Sequence, residues 1–286
     1  MPRFAALWML IFVSLFYSAC FASEAVTVPI AFDTGFPVVT LTLNGKAIPF
    51  TLDTGSSRAF HLAKRDAKKF PELVYTGKKF KAMDAAGHVM EDAEVSIPNL
   101  SVNGLAFGTT TGVIAQPWGL SIGKGHGPDQ KLSVLGLGFF DGRRVIIDYP
   151  SKTLTIADAD DDAVTQRVAG WTSYPYDRSK AGQVLVLSSG KADYRMVLDS
   201  PSNVSIVRAK LAAGRDDFVK CDMDLGPGRV CENVGLALPG GSPVKALLID
   251  LPERFSDDGL LGQDFFFQYA VFIDSVNRVV RLRGKE

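Results

Sequence analysis

Asp53 ends an apolar run, Pro49-Phe50-Thr51-Leu52, and is followed by Thr54-Gly55-Ser56-Ser57. In that setting a carboxylate can be held in one orientation. The glycine lets the backbone turn tightly, and neighbouring N–H and O–H groups can hydrogen-bond the acid. A second acid, Asp199, follows Leu198 and precedes Ser200-Pro201-Ser202-Asn203. Two carboxyl groups a few ångströms apart do not both ionise easily, so they share a proton. One can then draw a proton from a water while the other donates a hydrogen bond. Their titration belongs to the pair.

The elements that would carry these acids are legible as a repeat. Val38 matches Val184, Leu41 matches Leu187, Leu52 matches Leu198 and Asp53 matches Asp199, all in one ungapped register that starts at Pro29 and Pro175. Each of those prolines is expected to precede a strand. Further on, Leu135-Gly136 matches Leu261-Gly262, Phe139-Phe140 matches Phe265-Phe266, Ile147-Asp148 matches Ile273-Asp274, and Lys152 matches Arg278. The chain therefore reads as two similar halves, the second with a shorter middle. Short β-branched runs such as 38–43 and 184–187, bounded by turn residues, read as strands. Residues 58–70 and 205–213 have room for a short helix each. The fold class expected is all-β, with two pseudo-symmetric lobes and few short helices. Residues 23–157 form the first lobe, 158–170 the linker and 171–286 the second lobe. The acidic stretch 157–163 suits a solvated linker.

Asp-Thr-Gly occurs twice. Asp33-Thr34-Gly35 lies between Ile30-Ala31-Phe32 and Pro37, which reads as a hairpin turn, and its counterpart Ser179-Lys180-Ala181 has no acid. Asp53 has a different context. Downstream stand Val134-Leu135-Gly136, then Val145-Ile146-Ile147-Asp148-Tyr149-Pro150 and a closing strand Leu154-Thr155-Ile156. This combination resembles the aspartic proteases, retropepsin-like and pepsin-like, in a two-lobed bacterial type with a degenerate second motif. The resemblance runs from about Val26 to Arg283. It implies acid-protease-like lobes with a cleft between them, one aspartate from each, and a hairpin of the first lobe as a flap over the cleft. It also implies catalysis by Asp53 and Asp199, a peptide or protein substrate, and support from Thr54, Gly55, Ser56, Ser200 and Ser202. No cofactor or metal is expected, and the chain is expected to be a monomer. Residues 82–88, small and containing a glycine, are a candidate flap tip or an ordinary loop.

The second loop departs from the pattern at one place. Ser200 can stand in for Thr54, since both offer a hydroxyl, and Ser202 matches Ser56. Pro201 replaces Gly55, which removes an N–H and fixes φ near −65°. Three readings follow: a working Asp53/Asp199 dyad; a cleft that binds peptides or cell-wall fragments without cutting them; or two first halves from separate chains pairing their Asp53 residues.

Lysine plus arginine equals aspartate plus glutamate, so no strong electrostatic pull on nucleic acid is expected. Met1-Pro2-Arg3, the apolar run 4–16 and the small residues Ser18, Ala19, Cys20, Ala22 and Ser23 read as a secretory signal peptide over residues 1–22. An uncleaved anchor and lipidation at Cys20 are the alternatives, and each would add a membrane contact. Export to the periplasm or beyond is the expectation. Cleavage would leave Cys221 and Cys231, a natural disulfide in an oxidising compartment, across a hairpin with a Gly-Pro-Gly tip. His61, His88 and His126 read as surface or loop residues, the glycine-rich 123–127 as flexible linker, Phe265-Phe266-Phe267 as core, and Asp148 and Asp274 as structural carboxylates.

Overall fold

A computed structural model describes residues 25–83, 89–114, 132–212, 215–222 and 230–285. The first lobe comprises β1 (Val26–Ala31), β2 (Val38–Leu43), β3 (Lys46–Asp53), β4 (Phe60–Leu62), α1 (Lys64–Ala67), β5 (Val74–Met83), β6 (Val89–Val102), β7 (Leu105–Ile114), β8 (Ser133–Gly136), β9 (Arg143–Asp148) and β10 (Thr153–Asp158). A short helix, α2 (Asp162–Arg167), follows. The second lobe comprises β11 (Thr172–Pro175), β12 (Asp177–Ser179), β13 (Gly182–Ser188), β14 (Asp193–Leu198), β15 (Ile206–Arg208), β16 (Phe218–Lys220), β17 (Glu232–Leu236), β18 (Val244–Ile249), β19 (Gly259–Leu261), α3 (Gln263–Phe266), β20 (Tyr269–Asp274) and β21 (Val279–Gly284). The protein is all-β with short helices, as the repeat implies.

The alternation in the sequence is the alternation of the sheet. On β2, Val39, Leu41 and Leu43 are buried while Thr40 and Thr42 face solvent. On β13, Leu185 and Leu187 are buried and Val186 is exposed. Asn44-Gly45, both at positive φ, makes a two-residue turn that fixes the β2–β3 register. Pro29 lies within β1, whereas Pro175 ends β11 and stands just ahead of β12.

Within each lobe the strand order is the same. It is β1-β2-β3-β8-β4-β7-β6-β5 in the first and β12-β13-β14-β19-β15-β18-β17-β16 in the second. In both, the strand that ends at the acid runs parallel to the apolar-apolar-Gly strand: Leu52 opposes Leu135, and Leu198 opposes Leu261. A third sheet, β11-β21-β20-β9-β10-β1, joins the lobes. At its centre β9 pairs antiparallel with β20, Val145 to Ile273 and Ile147 to Val271. Exchanging the lobes maps this register onto itself, so the pseudo-twofold axis passes between these strands. Lys152 and Arg278, matched in the repeat, both sit at φ 54° in the turns that close the two halves.

The acidic connection is more ordered than a solvated linker. Ala157 is buried on β10, Asp161 caps α2 by accepting from Val164 N at 3.0 Å, and Val164 and Val168 pack on Ile146 and Phe272. Of its aspartates, Asp160 and Asp162 are exposed, while Asp158 and Asp161 are partly buried. Residues 58–70 hold α1, and residues 209–212 form a 3-10 turn. The expected signal peptide, Cys20, His88, His126, residues 123–127 and the Gly-Pro-Gly tip lie outside the described residues.

Candidate active site

The two acids meet where the lobes join. Asp53 is the last residue of β3, and Asp199 follows β14 directly. Their carboxyl groups share a hydrogen bond. Each residue keeps some solvent contact, yet both carboxyls lie deep among protein atoms, as on the floor of a cleft.

The loops are fastened to each other by their hydroxyls. Thr54 Oγ1 donates to Leu198 O at 2.8 Å and accepts from Ser200 N at 2.9 Å. Ser200 Oγ donates to Leu52 O at 2.9 Å and accepts from Thr54 N at 3.1 Å. Both side chains are fully buried. Four reciprocal bonds across the interface leave neither loop free to turn. Ser200 thus does the work of Thr54, as its hydroxyl suggested, but through the partner lobe.

Below the loops, glycines admit crossing backbone. A Cβ at Gly136 would lie 2.1 Å from Arg58 O, and one at Gly262 would lie 2.5 Å from Val204 O. Leu137 N donates to Ser56 O and Gln263 N to Ser202 O, each at 2.7 Å. The apolar-apolar-Gly strand therefore braces the acid loop in both lobes. Gly55 also serves by its size. Its φ is not in the left-handed region, but a Cβ there would stand 2.5 Å from Asp199 Oδ1. Close approach of the two acids, and not a tight turn, requires this glycine.

The two carboxyls differ in their donors. Gly55 N donates to Asp53 Oδ1 at 2.9 Å, while Ser56 N, beside it, donates to the Asp53 backbone oxygen at 3.3 Å. Burial pushes Asp53 up to about 6, against the pull of those donors and of the bond from Asp199. Asp199 is pushed well above the usual carboxylate range, first by burial, then by the charge of Asp53 and the hydrogen bond between them. Among the described residues no backbone N–H reaches its carboxyl.

Ser56 and Ser202 do not mirror each other. Ser202 Oγ donates to Val204 O at 2.9 Å, while Ser56 Oγ is bonded to His61 Nε2 at 2.7 Å. His61 is not a surface residue: it is buried on β4, and burial, then the charge of Arg58, pushes it down to about 3. The imidazole is therefore neutral. Asp33 is exposed in the β1–β2 hairpin turn, where Gly35 N bonds Phe32 O. Asp148 accepts from Ser151 N and pairs with Arg283, while Asp274 accepts from Val276 N and Asn277 N and pairs with Arg144. Those carboxylates are structural, and each ties its own turn to the opposite lobe. Phe265 and Phe266 are core, but Phe267 is 41% exposed and packs on Phe32 and Tyr149.

Three contacts have no sequence signature. Tyr149 OH donates to Ser200 O at 3.0 Å. Gln263 Nε2 donates to Gly35 O at 2.9 Å, tying the second acid loop's neighbour to the first lobe. Buried Arg208 donates to the carbonyls of Leu251, Pro252, Phe255 and Asp257. β5 and β6 form a hairpin whose last pair is Met83–Val89, so its tip lies outside the described residues. Cys221 and Cys231 form a disulfide beside β16 and β17, with Cα atoms 5.1 Å apart. A cavity of about 380 Å³ on the first lobe is lined by Ser57, Arg58, Phe107, Thr110, Phe139 and Arg143. Neither aspartate lines it.

Two lobes of one plan, each bringing an acid to a shared interface, give the chain an acid-protease-like architecture. Residues 39–139 match the family model of the aspartyl proteases. The fold is similar to that of an aspartic proteinase from Irpex lacteus, with a TM-score of 0.55 and 14% identity, over 92% of this chain and 98% of that one. It is also similar to basic 7S globulin from soybean (TM-score 0.52, 11% identity, 92% and 95% covered). Conglutin gamma, a basic 7S globulin from lupine seeds, is alike at TM-score 0.51 and 10% identity, again over 92% and 95%. No curated protein matches the chain in sequence. The chain thus has the two-lobed barrel fold of the aspartic proteases, and the family match lies in its first lobe.

Proposed function

We propose that the protein is an exported endopeptidase that hydrolyses peptide bonds with Asp53, Asp199 and a water held between them. The observation that carries this is the unequal pair of carboxyls sharing one hydrogen bond. Asp53, with the Gly55 backbone donor on its carboxyl, is the member that ionises and takes a proton from the water. Asp199, without such a donor, keeps its proton and donates to the carbonyl under attack. The product amine then receives a proton from the pair, which returns to its one-proton state.

The pH range follows from the same pair. Below about 6 Asp53 is protonated and the base is lost. Activity rises as pH passes upward through that value, and persists until Asp199 loses its proton, well above the usual carboxylate range. A near-neutral optimum results. The disulfide suits an oxidising compartment. Among the described residues no helix is long and apolar enough to cross a membrane, and export rests on the sequence of residues 1–22.

The deciding experiment assays the mature protein and its Asp53→Asn variant on a denatured protein from about pH 4 to about pH 9. Cleavage by the parent with an acid limb near 6, and none by the variant, is expected. Pro201 favours a second reading, a cleft that binds peptides or cell-wall fragments uncut. Tight binding of a pepstatin-type inhibitor with no cleavage at any pH would select that reading.

A further inference from the structure

Tyr149 lies just beyond β9 of the first lobe, 1% exposed, with its hydroxyl beneath the second acid loop. Its ring is gripped by Phe32, Phe266 and Phe267, with centroids 4.8, 5.2 and 5.3 Å away. Three aromatic contacts on a buried ring leave the hydroxyl one place to point. It donates to Ser200 O at 3.0 Å. That carbonyl belongs to the Ser200–Pro201 peptide unit.

The equivalent unit of the first loop, Thr54–Gly55, works through its other end: Gly55 N–H reaches Asp53. Proline has no N–H to offer, so the second unit is left with its oxygen. Tyr149 holds that oxygen. The counterpart of Tyr149 in the repeat is Ser275, whose hydroxyl bonds Phe140 O and Arg143 O and leaves the first acid loop alone. The tyrosine contact thus occurs only on the side where the donor is missing.

We propose that Tyr149 is a positioning residue for Asp199, fixing the Ser200–Pro201 peptide unit by its carbonyl in place of the N–H tether that proline removes. Burial, and behind it the charges of Asp199 and Asp53, hold the Tyr149 hydroxyl well above its ordinary range, so it remains a donor at every working pH. The proposal rests on the reading of Asp53 and Asp199 as a dyad.

The test is a double-mutant cycle between Tyr149→Phe and Pro201→Gly, read in two ways. Cleavage gives kcat and KM; carbon-13 NMR of the aspartate carboxyls gives the two apparent pKa values whether or not the protein cleaves anything. With proline present, Tyr149→Phe is expected to lower kcat about tenfold, the worth of one buried hydrogen bond, with little change in KM. The gap between the two apparent pKa values should narrow as Asp199 drifts from Asp53. With Pro201→Gly the N–H tether returns, and Tyr149→Phe should then alter kcat less than about twofold. Equal effects in both backgrounds, or none in either, would overturn the proposal. Absence of cleavage in every chain would instead defeat the peptidase reading, while the NMR arm still decides the role of Tyr149. A Tyr149→Phe chain that folds only beside Pro201→Gly supports the proposal; one that folds in neither background refutes it.

Discussion

The Asp53 carboxyl is met by an N–H of its own loop, whereas that of Asp199 is met by none and leans on Asp53. The two loops share the frame that holds them. Each ends a strand at Leu-Asp, each sends a hydroxyl to the opposite backbone, and each is braced by a glycine under its far end. Symmetry therefore holds in what positions the loops and fails in what charges them. A perfectly symmetric pair has two equivalent places for its proton. On the mechanism proposed above, the missing donor decides where it rests, and so which acid would serve as the base.

The sharpest way to break the comparison is at the matched positions Gly55 and Pro201. Gly55→Ala places a Cβ 2.5 Å from Asp199 Oδ1, which drives the acids apart. Misplacing a reacting group by about an ångström costs on the order of a hundredfold in kcat. Pro201→Ala adds no bulk, restores an N–H and is expected to leave kcat near the parent value. Parallel kinetics of the two variants check this, and equal losses would show that the positions are not counterparts.

The shared hydroxyls should show the opposite behaviour. Thr54→Val and Ser200→Ala each strip one donor and one acceptor from the buried interface, so each should lower stability by roughly 2–3 kcal/mol. The losses should match each other and be less than additive when combined, since both variants dismantle one network. Urea unfolding measures all three chains.

The smallest effect is the one with a sign. An unfolded Asp199 ionises near 3.8, while in the folded protein its proton is retained far above that value. The fold therefore binds more protons than the unfolded chain between those limits, and loses stability as pH rises through them. Asp199→Asn removes the penalty. Its melting temperature should exceed the parent's by on the order of 5 °C at about pH 7 and match it at about pH 4. A gain that is the same at both pH values would contradict the assigned proton.

Much of this was legible beforehand because duplication writes itself in register. Leu52 and Leu198, the two apolar-apolar-Gly strands, and even the αL residues Lys152 and Arg278 fall in matching places. The Asp33 turn was separable from the Asp53 loop by its flanks alone. What stayed hidden joins distant residues one pair at a time. Thr54 and Leu198, Tyr149 and Ser200, and Gln263 and Gly35 meet across the lobes without any periodicity. Local polarity misleads for His61 and for the acidic connection. The imidazole is buried because Ser56 meets its ring nitrogen, and the connection is anchored because Val164 and Val168 lie between its charges. Phe267 departs in the other direction, since α3 ends before it and turns it outward.

The pairing of β9 with β20 also has a consequence for how the chain is made. Ribosomes release the first lobe before Tyr269–Asp274 exist. Until then Val145, Ile146 and Ile147 form the rim of an unfinished sheet, apolar and with unspent hydrogen-bonding groups, the kind of rim on which chains stick together. The second lobe is thus also the first lobe's cover, and the nascent protein passes through its most vulnerable period while half of it already has its final shape.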